Sequence, residues 1–165
     1  MKKILFIRHA KSDWGKKNLT DFDRPLNQRG LRDAPEMGKR LHSMNLSVDR
    51  VFLSPATRTR QTIELLIDKA RWITIPMETM DELYLPSSKD FMNCITQATN
   101  DLNSICICSH NPGITAIVNY LANTSIYNIP TCGLAWLSFQ VDDWLEISGG
   151  TGQLDHYDFP KSTQL

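Results

Sequence analysis

Three short stretches of the sequence place side chains suited to phosphate chemistry directly after apolar runs. They are Arg8-His9 after ILFI, Arg58 four residues after RVFLS, and Ser109-His110 after SICIC. An arginine guanidinium can donate to two oxygens of one phosphate or carboxylate. A histidine can supply a nucleophile, an acid or base, or a positive charge. These residue types therefore predict an anion site, with a phosphoryl group as its natural ligand.

Each stretch alone is a weak indication, because polar groups after a strand often only solvate the edge of a sheet. A lone histidine such as His110 is equally often a capping or turn residue. Convergence of all three stretches in one cleft is what a functional site requires. The other two histidines have no such placement, since His42 falls late in a predicted helix and His156 in the polar tail.

Alternating apolar runs and helical periods predict the elements that would position these side chains. Short apolar runs predict strands at 3–7, 50–54, 72–76 and 104–108. Four helices are predicted. Asn27 caps the first, and Ser54 caps the second, with Pro55 at its first position. The third starts near Ser87 or Ser88, and Asn111 caps the fourth, with Pro112 at its first position. The tail predicts two antiparallel strands, 134–141 and 143–149, joined at Asp142-Asp143.

Strands that alternate with helices predict an α/β protein, here a three-layer α/β/α sandwich over one domain, residues 1–165. Its central sheet would be mostly parallel, with an antiparallel C-terminal hairpin. In open α/β sheets, ligands bind outside the carboxyl ends of the strands. The three stretches would then meet at one edge, where two helix N-termini add free backbone N–H groups.

The composition argues against several classes of partner. Lys and Arg total 18, as do Asp and Glu, so no overall field favours nucleic acid or an anionic membrane. The apolar runs are too short for a transmembrane helix or a signal peptide, which predicts a cytoplasmic protein. The four cysteines lack the further ligands of a metal site and are predicted to be buried thiols.

The stretches LFIRHAKSDW, LSPATRTRQT and ICSHNPGI, in this order, resemble the histidine phosphatase superfamily. The resemblance is strongest to its short branch of phosphohistidine phosphatases. It covers essentially the whole chain, because DFDRPLNQRG (21–30), DELY (81–84) and PKS (160–162) also fit that branch. It implies the phosphoglycerate-mutase-like version of the α/β/α sandwich.

The resemblance also implies roles for individual residues. His9 falls on the nucleophile, Arg8 and Arg58 on phosphate ligands, and His110 on the second histidine of the phosphate pocket. Ala10 replaces the glycine that usually follows the nucleophile. Glu82 stands where larger members carry a general acid, although it could equally be a solvated loop residue.

The implied reaction is phosphoryl transfer to His9, followed by attack of water on the phosphohistidine, with a protonated His110 among the groups that neutralise the phosphoryl oxygens. Neither a metal nor another cofactor is expected. The short chain leaves an open site, which suits a phosphorylated protein side chain. A phosphoramidate leaving group also depends less than an alkoxide on protonation by an acid. Phosphohistidine in a protein is therefore the expected substrate. Alternatives are a phosphomonoesterase acting on a small phosphorylated substrate, a mutase, or a non-catalytic phosphate-binding module. Oligomeric state is left open.

Overall fold

The computed structural model describes residues 1–15 and 17–162. Its elements, in chain order, are β1 (Lys2–Arg8), α1 (Gln28–Ser43), β2 (Arg50–Leu53), α2 (Thr57–Ala70), β3 (Met77–Thr79), α3 (Ser88–Thr96), β4 (Ser104–Ser109), α4 (Gly113–Ala122), β5 (Leu134–Phe139) and β6 (Gly152–Asp158). One sheet has the strand order β3-β2-β4-β1-β5-β6. Its first four strands run parallel, while β5 is antiparallel to both β1 and β6.

Strand β1 is buried on both faces and separates two apolar cores. Leu5 and Ile7 pack into the core that α1 and α2 cover, whereas Ile4 and Phe6 face the core under α3 and α4. This alternation follows from the period of two in a strand. The predicted three-layer α/β/α sandwich with an antiparallel C-terminal hairpin is confirmed.

The predicted third strand at 72–76 is wrong. That segment forms a turn after α2, and the pairing strand is Met77–Thr79. Trp72 is buried beside α1 and α2, and its indole N–H donates to the carbonyl of Leu46 at 3.1 Å. The apolar run therefore fills the core from a turn instead of joining the sheet.

The second strand of the predicted hairpin lies further along the chain than expected. Residues Trp144–Glu146 form a 3₁₀ turn capped by Asp143, and the strand that pairs with β5 is β6. Trp144 is fully buried, and its indole N–H is within 3.2 Å of two carbonyl oxygens, those of Thr99 and Leu102. Burial of this side chain, and not strand pairing, explains the apolar pattern there.

Of the three predicted helix caps, that of Asn27 is confirmed, and the third helix starts at Ser88, as expected. The side chains of Asn27 and Ser87 accept hydrogen bonds from the first turns of α1 and α3. The other two helices begin one or two residues later than expected, without a side-chain cap. Ser54 and Asn111, the residues predicted to cap them, are therefore available for other contacts.

The four cysteines are free and buried, as predicted. Burial, with a smaller contribution from the charge of Glu82, raises the pKa of Cys94 to about 12. Among the described residues, no group of three or more His, Cys, Asp or Glu side chains is placed to hold a metal ion, and no helix could span a membrane.

Candidate active site

The candidate site forms where β1, β2 and β4 end side by side. Arg8 pairs with Ser109 in the β1–β4 register, and Leu53 pairs with Cys108 in the β2–β4 register. The residues that follow these strands, His9, Ser54 and His110, therefore emerge at the same edge. The structure thus brings together side chains more than a hundred residues apart in sequence.

His9 is held in one tautomer at the end of β1. Its side chain is almost completely buried, and Nδ1 lies 2.7 Å from the carbonyl oxygen of Ala10. A carbonyl oxygen only accepts hydrogen bonds, so Nδ1 must carry the proton. The neutral ring then has its free lone pair on Nε2, and a nitrogen needs such a lone pair to act as a nucleophile.

The backbone around His9 is fixed by partners from three directions. The N–H of His9 donates to Ser109 at 3.1 Å, and the N–H of Cys132 lies 3.1 Å from the carbonyl of His9. The N–H of Ala10 donates to the hydroxyl of Thr62 at 2.9 Å, and that hydroxyl donates to the carbonyl of Arg58 at 2.6 Å. Thr62 therefore links the loop that follows β1 to the first turn of α2.

Arg58 and His110 form the opposite wall of the site. The Arg58 guanidinium donates to Nδ1 of His110 at 3.2 Å, and Nε2 of His110 lies 2.7 Å from the hydroxyl of Ser54. Since arginine cannot accept a hydrogen bond, Nδ1 of His110 is the acceptor and Nε2 carries the proton. The rings of His9 and His110 are 5.0 Å apart between centroids.

Both histidines are neutral at physiological pH in this arrangement. Burial, aided by the charges of Arg58 and Arg8, lowers the pKa of His9 to about 3. Burial, the neighbouring His9 and Arg58 lower the pKa of His110 to about 3 as well. A neutral His9 suits a nucleophile, but the expected protonated His110 requires the added negative charge of a bound phosphoryl group.

Arg8 is directed toward the loop before β5. Its guanidinium donates to the carbonyl of Ile129 at 2.7 Å, and the side-chain oxygen of Asn128 lies at 3.5 Å. Its Nε is buried and has no hydrogen-bond partner within the described chain. The charge of Arg8 still lowers the pKa of both histidines. Its role as a phosphate ligand stays a prediction.

Glu82 is exposed in the 3₁₀ turn Asp81–Leu83. Within the described chain it makes no hydrogen bond to His9, Arg58 or His110, and its charge acts on Cys94. No hydrogen bond or ion pair of the described chain joins the candidate acid to the other predicted site residues, and its catalytic role stays a prediction.

Two residues to which the sequence assigned no role, Asp21 and Tyr84, complete the site. Asp21 accepts a hydrogen bond from Arg58 at 3.0 Å and another from the Tyr84 hydroxyl at 2.7 Å. The Tyr84 ring meets His110 edge-on, with centroids 5.5 Å apart. Both belong to stretches that carry the family resemblance, DFDRPLNQRG and DELY, which was the available signal.

Comparison with known proteins points to one family. The model of the histidine phosphatase superfamily (branch 1) matches residues 4–85, which include His9, Arg58 and Glu82. An uncharacterized protein of Mycobacterium tuberculosis is 28% identical over 165 residues, covering 94% of this chain and 100% of that protein.

Two solved structures share the fold. SixA from Agrobacterium tumefaciens superposes with a TM-score of 0.81 at 24% identity, over 94% of this chain and 96% of that one. The protein histidine phosphatase SixA complexed with tungstate gives a TM-score of 0.79 at 22% identity, over 96% and 97%. The family model matches residues 4–85 and the predicted motifs gather at one sheet edge, so the predicted resemblance to the histidine phosphatase superfamily is confirmed.

Proposed function

We propose that this protein is a phosphatase that removes phosphate from phosphohistidine in a protein, through a covalent phosphohistidine on His9. The observation that carries the proposal is the fixed tautomer of His9, whose Nδ1–H is directed at the carbonyl of Ala10. As Nε2 attacks phosphorus, positive charge builds on the ring, and this carbonyl stabilises it. Arg58 lies beside the neighbouring histidine, where it can bind the phosphoryl oxygens.

The first step forms a bond from His9 Nε2 to phosphorus while the P–N bond of the substrate breaks. The leaving imidazole keeps the electron pair of that bond, and if its other nitrogen is protonated it leaves as a neutral ring. In the second step a water oxygen bonds to phosphorus and the electron pair of the P–Nε2 bond returns to His9. One proton of the water stays on the phosphate and the other passes to solvent.

The charge state of the site favours phosphohistidine over an ester. Hydrogen bonding from Tyr84 and the charge of Arg58 outweigh partial burial and lower the pKa of Asp21. The carboxyl group that contacts Arg58 is therefore ionised and cannot donate a proton at neutral pH. An alkoxide leaving group needs such a donor. An imidazole whose other nitrogen is already protonated leaves as a neutral ring without one. The SixA-like fold supports the same substrate class.

A substrate panel in the presence of EDTA tests the proposal. A phosphohistidine protein, a phosphoserine peptide and a sugar phosphate are compared on the wild type, on Glu82→Gln and on His9→Ala. We expect the highest kcat/KM on the phosphohistidine protein, little change in Glu82→Gln, and no turnover by His9→Ala. Preference for either ester would overturn the substrate assignment in favour of a phosphomonoesterase.

A further inference from the structure

The charged groups around His110 include one carboxylate, that of Asp21. The other charged or titratable groups that act on His110 are Arg8 and His9 at the end of β1 and Arg58 on α2; Tyr84, after the 3₁₀ turn, adds a neutral ring edge. The positive charges of Arg8 and Arg58 oppose protonation of His110, and so would that of His9 if its ring were protonated. Asp21 alone among them favours it.

Asp21 also holds Arg58 with two different groups. Its carboxylate accepts from one guanidinium nitrogen at 3.0 Å, and its main-chain carbonyl accepts from the other at 2.5 Å. The side chain of Arg58 is buried, so these contacts fix the plane of the guanidinium beside His110. A guanidinium whose plane is already fixed needs less reorganisation to bind a phosphoryl oxygen with its remaining N–H groups.

The loop that carries Asp21 is itself anchored. The N–H of Thr57, the first residue of α2, donates to the carbonyl of Phe22 at 3.1 Å. Arg24 donates to the second carboxylate oxygen of Asp21 and stacks on the ring of Trp14 at 3.5 Å. Both oxygens of Asp21 therefore have donors, so this carboxylate is oriented and ionised but a weak base.

We propose that Asp21 is a positioning residue of this site: its carboxylate fixes the Arg58 guanidinium and supplies the negative charge that lets His110 take up a proton when a phosphoryl group binds. That proton goes to Nδ1 and replaces the hydrogen bond from Arg58, which Asp21 continues to hold. This inference rests on the proposed function for its kinetic consequence. Asp21, on the β1–α1 loop, would thus act as an ionised carboxylate, whereas Glu82 is the candidate for a general acid.

The variant Asp21→Asn tests the proposal, because asparagine keeps the shape and one acceptor but removes the charge. Asp23→Asn is the matched control, since Asp23 lies on the same loop, is exposed, and accepts a hydrogen bond from Thr20. We expect kcat on the phosphohistidine protein to fall about tenfold or more in Asp21→Asn, and the alkaline limb of kcat to move to lower pH by about half a unit or more. Asp21→Glu should restore part of that limb.

A wild-type level of kcat in Asp21→Asn would overturn the proposal. So would a lower kcat with an unmoved alkaline limb, because a merely structural role predicts that result. Thermal unfolding of each variant, measured beside the kinetics, identifies any loss that comes from misfolding.

A second measurement needs no substrate and so separates this proposal from the proposed function. The ¹⁵N shifts of the His110 ring are followed against pH with saturating sulfate, which stays a dianion over the range used. We expect His110 to gain its proton at a lower pH in Asp21→Asn than in the wild type or Asp23→Asn. Equal titration in all three proteins overturns the role of Asp21, whether or not the wild type hydrolyses phosphohistidine.

Discussion

At the residue scale, one hydrogen bond decides what His9 can do. Because Nδ1 donates to the carbonyl of Ala10, Nε2 keeps its lone pair, and burial keeps the ring neutral. A nearby arginine would repel a protonated ring but not a neutral one. The low pKa of His9 therefore leaves a neutral ring with a free lone pair on Nε2 at every physiological pH, as the proposed nucleophile requires.

The variant His9→Ala should lose covalent labelling by a phosphodonor. We expect wild-type protein to form an acid-labile, base-stable adduct, and hydrolysis by the variant to fall by about a thousandfold or more, because the nitrogen that would accept the phosphoryl group is gone. Autoradiography after acid and base treatment measures the adduct. His156→Ala, on β6, is the control, and label that survives in His9→Ala would contradict the nucleophile assignment.

The buried histidines should also make stability depend on pH. An unfolded chain binds protons at histidine near pH 6.5, whereas His9 and His110 in the folded chain do so only near pH 3. Between these values the unfolded state binds more protons, so the free energy of unfolding falls as the pH is lowered. Urea unfolding from pH 7 to pH 4 measures this slope.

The variant His9→Gln should flatten that dependence. We expect its loss of stability between pH 6.5 and pH 4 to be smaller than that of the wild type by at least about 1 kcal/mol, because one buried group no longer resists protonation. His42→Gln, an exposed position on α1, should keep the wild-type slope. Parallel slopes for all three proteins would show that His9 titrates normally in the folded state.

At the element scale, the site depends on the contact between the β1–α1 loop and α2. Thr62 is fully buried, and its hydroxyl accepts from Ala10 and donates to Arg58. Thr62→Val keeps the shape but leaves the Ala10 N–H without an acceptor. We expect a loss of about 1–3 kcal/mol in unfolding free energy, together with a lower kcat.

Thr62→Ser is the matched control, since it keeps the hydroxyl and removes a methyl group. Chemical denaturation and steady-state kinetics on both variants separate the hydrogen bond from packing. The link between loop and helix would be refuted if the serine variant lost as much activity as the valine variant.

Elements whose ends are set by local chemistry could be predicted from the sequence, and those set by packing could not. The apolar runs before His9 and His110 are strands, and Asn27 caps α1 as expected. The runs at 72–76 and 143–149 misled because an apolar run alone does not distinguish a strand from a turn whose tryptophan is buried. Both tryptophans, Trp72 and Trp144, direct their indole N–H at main-chain carbonyls.

The contact between Asp21 and Arg58 could not be predicted from the sequence. Asp21 lies in a polar loop whose sequence shows no periodicity. Its approach to Arg58 depends on tertiary contacts, such as the hydrogen bond from the N–H of Leu26 to the side chain of Gln61. The two strand-exit histidines were predictable because parallel strands must end at one edge, whereas loop placement follows from contacts with distant side chains.

At the scale of the whole molecule, the first helix is joined to the last strand through a largely buried ion pair. Arg40 on α1 donates to Asp158 at the end of β6 at 3.0 Å, and its side chain also reaches the carbonyls of Phe159 and Pro160. Both side chains are mostly withdrawn from water, at 16% and 3% exposure. The edge of the sheet formed by β6 is thereby attached to the helix layer that covers β1.

Removing this arginine should therefore destabilise the protein far more than removing a surface one. Arg40→Met leaves Asp158 as a buried charge without its arginine, and we expect a loss of about 3–5 kcal/mol in unfolding free energy. Adding Asp158→Asn should recover part of it, because the buried negative charge that Arg40 balances in the wild type is then gone. Arg50→Met is the control, since its pair with Glu78 is exposed and should cost at most about 1 kcal/mol. Equal losses in Arg40→Met and Arg50→Met, measured by urea unfolding, would show that the pair does not hold the C-terminal strand in place.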